Sequence, residues 1–263
     1  MPGMYENFPQ AYRRFYGMMK NVLFCSGGKD SVASLIIAKE RVEPLDAVVF
    51  CEVMFDEETS GEHPLHIEFV KEKLRPWVEK ELGVPFVILK SDRTYKSCFE
   101  HIVTKGAGTG KVAGFPIPGM CVINRDCKMR AIRKFRENQN IEIEYVGIAV
   151  DEPERLARLT ENKVSLLAKY GYTEDDAKKI CLEYGLLSPI YAICKRNGCW
   201  FCMNCKDNEF VWLIKKRPDL FNKLVELEQK HKDLYRRCLT RTETATELKA
   251  RFEVYTQQMS FFE

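Results

Sequence analysis

The sequence contains no long apolar segment, and this excludes several classes of protein. No run of about twenty apolar residues, the length a membrane-spanning helix needs, occurs in the 263 residues. The first residues, Met1–Glu6, contain no apolar core of a signal peptide. Low-complexity stretches and internal repeats are also missing. We therefore expect a cytoplasmic protein with no membrane partner.

The sequence also has little net charge. Its 41 Lys and Arg against 38 Asp and Glu leave a formal charge of +3, so no overall field attracts nucleic acid. A local basic patch could still bind it. The length and the 45% hydrophobic content predict one large folded domain, or a domain with a smaller appendage.

The most informative stretch is a glycine turn between a predicted strand and a predicted helix. It consists of Ser26, Gly27, Gly28, Lys29, Asp30 and Ser31, follows the apolar run 22–25 and opens the helical pattern 31–39. A turn of this kind presents backbone N–H groups and the positive end of a helix to an anion, here a phosphate. The longer glycine spacing of a Walker loop is missing.

Each residue type in this turn suits a bound phosphate. The two glycines permit positive φ and a close approach of the backbone. The two serines supply hydroxyl groups, and Lys29 supplies a mobile cation for phosphate oxygens. Asp30 can cap the helix or orient a metal ion.

Strands alternate with helices along the first part of the chain. The predicted strands are 22–25, 46–53, 84–89 and 141–149, and the predicted helices include 64–82, 95–105, 173–184 and one or two over 218–255. Such alternation predicts an α/β protein with a doubly wound, mostly parallel sheet. We expect an amphipathic N-terminal helix in 1–20, a nucleotide-binding domain in 21–159, and a helical, cysteine-rich C-terminal appendage in 160–263, where the strand pattern ends.

Charged residues follow two of the predicted strands, at the edge where such sheets bind ligands. Asp56 lies in an acidic cluster after the second strand, where it could hold Mg²⁺ on ATP phosphates or simply belong to a solvated loop. Asp151 follows the last strand, with Arg155 one helical turn later. These residues and the glycine turn should face one nucleotide crevice.

Eleven cysteines, an odd number, favour metal or sulfur chemistry over a disulfide framework. Four of them fall in one short run, Cys194, Cys199, Cys202 and Cys205, whose two-residue gaps let thiolates converge. These four could bind zinc. An iron–sulfur cluster, which we favour in its [4Fe–4S] form, would take its fourth ligand elsewhere, from Cys121 or Cys127.

Two cations flank these isolated cysteines. Arg125 and Lys128 could bind phosphate, pyrophosphate or a nucleic-acid backbone, or be ordinary surface cations. His63 and His66 are weak metal candidates because no third ligand is nearby. The remaining cysteines lie in apolar runs and are assigned to the core: Cys25, Cys51, Cys98, Cys181 and Cys238.

The glycine turn, SGGKDS, resembles the signature of the PP-loop ATP pyrophosphatases, the adenine nucleotide alpha hydrolase-like group. The segments 185–191 and 198–202 look like the phosphoadenosine phosphosulfate (PAPS) reductase-like branch of that group, as do 121–128 and 146–155. That branch includes the sulfur-transfer proteins of DNA phosphorothioation. The resemblance covers about residues 20 to 215.

This resemblance implies cleavage of ATP between its alpha and beta phosphates, adenylation of an acceptor and release of pyrophosphate. Catalytic roles would fall to Lys29, Asp30, Asp151 and Cys121. Sulfur transfer to tRNA, DNA or a small metabolite would follow, with a sulfur donor such as a cysteine desulfurase and a homodimer as further expectations.

The sequence departs from true PAPS reductases in two places. Its loop has the full SGGKDS pattern, and 257–263 contain no cysteine, so we expect ATP and not PAPS. Two alternatives stay open. The chain could be a sulfonucleotide reductase-like redox enzyme, or a non-catalytic nucleotide-binding subunit with a structural zinc.

Overall fold

A computed structural model describes Gly17, residues 19–117, Gly119 and residues 121–260, with side chains up to residue 254. The predicted N-terminal helix, with Tyr5, Phe8, Tyr12 and Phe15, lies outside the described residues. In chain order the helices and strands are β1 (Asn21–Phe24), α1 (Lys29–Glu40), β2 (Ala47–Glu52), α2 (Pro64–Phe69), α3 (Arg75–Glu81), β3 (Phe86–Lys90), α4 (Tyr95–Phe99), β4 (Val112–Gly114), α5 (Arg130–Glu137), β5 (Ile143–Val146), α6 (Pro153–Leu156), β6 (Lys163–Ser165), α7 (Leu166–Lys169), α8 (Glu174–Glu183), α9 (Asp207–Lys216), α10 (Pro218–Lys230), β7 (Leu234–Arg236) and α11 (Ala245–Ser260).

Contacts group the described chain into two compact units, each built from separate stretches. The first unit takes in the chain up to Glu52, then Pro64–Lys90 and Arg130–Asn197. The second unit takes in Val53–His63, Ser91–Met129 and the chain from Gly198. The domain boundaries expected at residues 20 and 159, and the C-terminal appendage, stay predictions.

The first unit contains a five-stranded sheet in the order β3-β2-β1-β5-β6. Every strand pair in it is parallel, which confirms the α/β class. β2 is buried along its whole length, as its continuous apolar sequence indicates. Residues of the sheet belong to two separate apolar clusters. One cluster includes Leu23 and Ile36, and the other includes Val22 and Phe135.

The prediction that strands end near residue 160 was wrong. β6 pairs in parallel with β5, with Val164 opposite Tyr145. It has only three residues, too few to show a periodic pattern, and pairing with β5 rather than local sequence defines it.

Two predicted helices differ from the observed ones. The helix predicted over 64–82 is interrupted by a π-helical segment, Val70–Leu74, immediately before Pro76 in the first turn of α3. The helix predicted over 95–105 ends at Phe99. Residues beyond it fold back instead, as the Val103 N–H donates to Lys111 and Gly106 takes φ +79°.

The second unit has its own core, which includes Phe99, Phe221 and Leu248. The region predicted to hold one or two helices over 218–255 contains α10 and the first part of α11, separated by β7. β7 pairs in parallel with β4. No helix among the described residues is long and apolar enough to cross a membrane.

Candidate functional site

The SGGKDS turn connects β1 to α1, where the sequence placed it. A cavity of about 500 Å³ lies beside it, lined by Phe24 at the end of β1 and Val146 at the end of β5. From β1 the chain continues to β2 on one side, whereas β5 pairs on the other. The cavity therefore lies at a topological switch point, where open α/β sheets bind their ligands.

The turn is shaped by hydrogen bonds between its own residues. Gly27 takes φ +72°, which a side chain would strain. The Gly28 N–H donates to Ser26 Oγ at 3.3 Å, and Ser31 Oγ donates to the Gly28 carbonyl at 2.9 Å. Gly28 is the N-cap of α1 and offers no capping side chain. The first backbone N–H groups of α1 therefore have no capping side chain and face the turn.

Two residues outside this turn, whose role here the sequence did not predict, hydrogen-bond to it. The Ser26 carbonyl accepts hydrogen bonds from His66 Nε2 and Asn197 Nδ2, both at 2.9 Å. Because a carbonyl only accepts, His66 carries its proton on Nε2, and its Nδ1 accepts from Ser188 Oγ at 3.0 Å. The ring of His66 is fully buried. Its role is to position the turn.

Gly147 lets the end of β5 approach the turn closely. A Cβ atom there would lie 2.6 Å from the Ser31 backbone nitrogen and 2.7 Å from the Asp30 carbonyl carbon. Backbone atoms cannot rotate away as a flexible side chain can. Gly147 therefore allows the backbone after β5 to lie directly against the turn, beside the cavity.

Lys29 lies among oxygen atoms. Its Nζ is 2.8 Å from Asp30 Oδ1 and 2.8 Å from Glu174 Oε2. Burial alone would lower the pKa of Lys29, but the two carboxylates outweigh it and raise the pKa. Burial raises the pKa of Asp30. The Lys29 backbone N–H donates to the Tyr191 hydroxyl at 2.9 Å, so three regions of the first unit meet at this residue.

The cavity wall carries further cations. Arg155, predicted to bind the nucleotide, lines it and is hydrogen-bonded to Glu152. Arg136 also lines it, with its Nη2 bonded to Glu144 at 2.7 Å. Lys163, on the strand that the sequence analysis missed, lines it, and within the described chain its ammonium has no ion-pair partner.

Three other predicted residues have different surroundings. Asp151 Oδ1 accepts the Glu174 backbone N–H at 3.2 Å, at the start of α8. Asp56 belongs to the second unit, where its carboxylate accepts from Lys223 Nζ at 2.9 Å. Although burial opposes it, this bond and the Thr59 N–H lower the pKa of Asp56 to about 2. Arg125 is bonded to the neighbouring Asp126 carboxylate.

The second unit gathers cysteine thiols from distant parts of the sequence. Cys121, Cys199 and Cys202 line one cavity of about 140 Å³, which we call the thiol cavity. Cys205 Sγ lies 3.8 Å from the Cys199 carbonyl oxygen. Cys194 is a buried residue of the first unit and thus belongs to a different compact unit from the other three cysteines of its run.

Cys127 is in contact with a cysteine that we assigned to the core. Its Sγ lies 3.7 Å from Cys98 Sγ, and both residues are buried. Cys98 is therefore part of a thiol pair and not an isolated packing residue. The apolar surroundings of Cys98 concealed this contact, which no spacing in the sequence indicates.

Burial keeps the Cys199 thiol protonated in the absence of a metal. It raises the pKa of Cys199 well above that of an ordinary thiol, with Glu62 and Cys202 adding to the effect. Within the described ranges no three His, Cys, Asp or Glu side chains form an arrangement ready to hold a metal ion. The donors nevertheless fit one chemically, since closely placed thiols are the ligands of zinc and of iron–sulfur clusters.

None of the protein-family models matches the sequence. An uncharacterized protein of Methanocaldococcus jannaschii, MJ0973, is 22% identical over 236 residues, which are 82% of this chain and 50% of that protein. The chain thus spans about half the length of the curated relative it matches. The structure of the U34-tRNA thiolase NcsA from Methanococcus maripaludis with its [4Fe-4S] cluster superposes with a TM-score of 0.40 at 12% identity, covering 97% of this chain and 77% of that one. The function of this chain must therefore be inferred from its own residues.

Proposed function

We propose that this chain is a PP-loop ATP pyrophosphatase of the PAPS reductase-like branch. It would bind ATP at the SGGKDS turn and cleave it between the alpha and beta phosphates to adenylate an acceptor. Sulfur transfer to that acceptor would follow. Thiol-bound metal in the second unit would assist it.

The observation that carries the proposal is the turn at the switch-point cavity. Its Ser26 carbonyl is fixed by His66 and Asn197, so hydrogen bonds within the chain hold the shape of the turn. The α1 N-terminus supplies the positive dipole end that favours phosphate. The cavity volume, about 500 Å³, is of the size that small-molecule sites have.

The charges around the cavity match a polyphosphate. Arg136, Arg155 and Lys163 line it and would neutralise phosphate oxygens. Mg²⁺ would be held at Asp30, and would reduce the charge repulsion met by an attacking oxygen. Lys29 would exchange its carboxylate partners for phosphate oxygens when ATP enters.

The proposed reaction is a displacement at the alpha phosphorus of ATP. An acceptor oxygen attacks the alpha phosphorus of ATP, and a new oxygen–phosphorus bond forms. The bond from that phosphorus to the bridging oxygen breaks, and pyrophosphate leaves with the electron pair. Lys29 and the arginines stabilise the charge that develops on the transferring group.

In the second unit, Cys121, Cys199 and Cys202 would hold the metal. Cys205 lies next to Cys199, and Cys127 lies next to Cys98. A bound iron–sulfur cluster supplies a thiophilic centre for sulfur, whereas zinc supplies a structural link.

The test is pyrophosphate release from Mg-ATP with tRNA, DNA and small-molecule acceptors supplied in turn. We expect Lys29→Ala to lower the rate at least 100-fold, because the variant lacks a cation at the transferring phosphates. Lys169→Ala is the matched control, since Lys169, the last residue of α7, pairs with Glu43 and does not line the cavity. Equal pyrophosphate release by the Lys29 variant and the control would overturn the proposal.

A nucleotide-binding subunit without turnover is the second candidate. It is favoured by the two carboxylates that already occupy Lys29. In that case Mg-ATP binds to the wild-type protein but stays intact with every acceptor. Lys29→Ala would then change the affinity and no rate.

A further inference from the structure

We propose that Cys98 and Cys127 together bind one thiophilic metal ion, zinc or iron, in the second unit. This inference rests on the metal site of the proposed function. It adds Cys98, which lies outside the cysteine run, and it specifies that two protein thiolates share one ion.

The distance between the two sulfur atoms is the first argument. They lie 3.7 Å apart. Four ligands at about 2.3 Å around a tetrahedral metal are separated by about 3.8 Å, the edge of the tetrahedron. A disulfide bond would need about 2.0 Å. The pair therefore has the spacing of two ligands on one ion.

The same distance discriminates between kinds of metal centre. In a [4Fe–4S] cluster the four cysteines are distributed one to each iron, whereas in a [2Fe–2S] cluster each iron takes two. A tetrahedral zinc also takes its thiolates on one ion. The Cys98–Cys127 pair thus fits zinc or a [2Fe–2S] centre and does not fit a four-iron cluster as two of its ligands.

Local structure holds the pair in place. Cys98 lies on α4, whose N-terminus is fixed by a reciprocal capping box between Thr94 and Ser97. Cys127 lies in a π-helical segment, Asn124–Met129, directly before α5. Short π-helical segments often occur at functional sites. Cys98 is 5% exposed and Cys127 is not exposed at all, so a metal between them would be shielded from water.

A neighbouring tyrosine supplies an independent observation. Tyr95 is completely buried, and its hydroxyl has no hydrogen-bond partner among the described residues. An unsatisfied buried hydroxyl costs about 1–3 kcal/mol. Tyr95 lies three residues before Cys98 on α4, so the two side chains share one face of the helix.

Metal binding would satisfy that hydroxyl. A neutral thiol is a weak acceptor, but a thiolate is a charged acceptor of the kind that gives strong hydrogen bonds. On binding, each thiol would release its proton to solvent. Tyr95 is thus a buried hydrogen-bond donor on the same helix face as Cys98.

The experiment compares Cys98→Ser with Cys51→Ser in the full-length chain. Cys51 is a matched control because it is equally buried, on β2 of the first unit. Both variants and the wild type are purified anaerobically or loaded with Zn²⁺, or with Fe³⁺ and sulfide. Metal and sulfide per chain are measured, and X-ray absorption counts the sulfur neighbours of each metal atom.

We expect Cys98→Ser to lose at least half of the bound metal, or to keep it with fewer sulfur neighbours, while Cys51→Ser equals wild type. Equal metal content and equal sulfur count in the two variants would overturn the proposal. So would a Cys98–Cys127 disulfide in the anaerobically purified wild type, or four irons per chain with both variants unchanged.

The metal content and sulfur count of the wild-type protein test the proposal even if Cys98→Ser does not fold. If the wild type binds two irons, Tyr95→Phe should keep them and shift their charge-transfer absorption or reduction potential. If it binds zinc, which has no redox chemistry, Tyr95→Phe should keep the zinc but bind it less tightly. No ATP enters these assays. A protein that binds metal through Cys98 but never cleaves ATP would sink the proposed function alone.

Discussion

The SGGKDS turn of the first unit and the cysteine site of the second unit differ in whether their buried polar atoms have hydrogen-bond partners. The Ser26 carbonyl accepts two side-chain hydrogen bonds, and Lys29 has two carboxylate partners. The Tyr95 hydroxyl, in contrast, is buried without a partner among the described residues. Burial also raises the pKa of Cys199, which disfavours the thiolate that a metal needs.

Contacts within the chain therefore order the SGGKDS turn, whereas a bound metal would complete the cysteine site. A preformed site loses little conformational entropy when it binds, because the turn is already ordered. A site with buried thiols and an orphan donor gains stability when a metal removes the protons and supplies charge. The two sites should therefore respond differently to substitution and to chelation.

Among changes in nucleotide affinity, the largest is expected from Gly147→Ala. The added Cβ would meet backbone atoms of Asp30 and Ser31 and push the turn out of shape, at a cost of about 1–3 kcal/mol. Mg-ATP affinity, measured by calorimetry, should fall at least tenfold. Gly198→Ala, where a Cβ meets nothing within 4 Å, should bind ATP as wild type does. If both variants bind equally, the turn is not the ATP site.

Asn197→Ala should have a smaller effect on the same site. It removes one of the two donors to the Ser26 carbonyl, which we expect to weaken Mg-ATP binding about fivefold to tenfold. Asn138→Ala is the control, because Asn138 also donates to a backbone carbonyl, that of Lys134, away from the cavity. An unchanged affinity in the Asn197 variant would show that the turn needs no outside support.

Two matching helix caps allow the two sites to be perturbed separately. Thr173 caps α8, which carries Glu174, and Thr94 caps α4, which carries Tyr95 and Cys98. Each Thr→Ala change should cost about 1 kcal/mol. We expect Thr173→Ala to change nucleotide affinity and Thr94→Ala to change metal affinity, each about fivefold. The opposite assignment of effects would contradict the division into two sites.

The smallest effect concerns acid stability. The pKa of Asp56 is lowered to about 2 in the folded chain, so its pairing with Lys223 contributes above about pH 4 and is lost as the pH falls towards 2. The contribution should be about 1 kcal/mol or less, because Lys223 is partly exposed. In Asp56→Asn the free energy of unfolding should depend less steeply on pH over that range than in the wild type. Asp175→Asn should keep the wild-type dependence. If both variants lose stability as steeply as the wild type when the pH falls, groups other than Asp56 cause the acid sensitivity.

The sequence predicted the local parts of these sites better than the long-range ones. The strand, the glycine turn and α1 follow from an apolar run, two glycines and a helical pattern that are adjacent in the chain. His66 and Asn197 reach the turn from far along the sequence, so no local pattern marks them. Cys98 has apolar neighbours in the sequence, and only folding brings it to Cys127.

Hydrogen exchange of the metal-loaded and the chelated protein tests the contrast between the two sites most directly. Amides of α1 and of the SGGKDS turn should keep their protection in both forms, since their contacts involve no metal. Amides of α4 and of residues 199–205 should exchange faster after chelation, by at least tenfold, because their site is completed by the metal. Unchanged protection of α4 and 199–205 after complete metal removal would contradict this account.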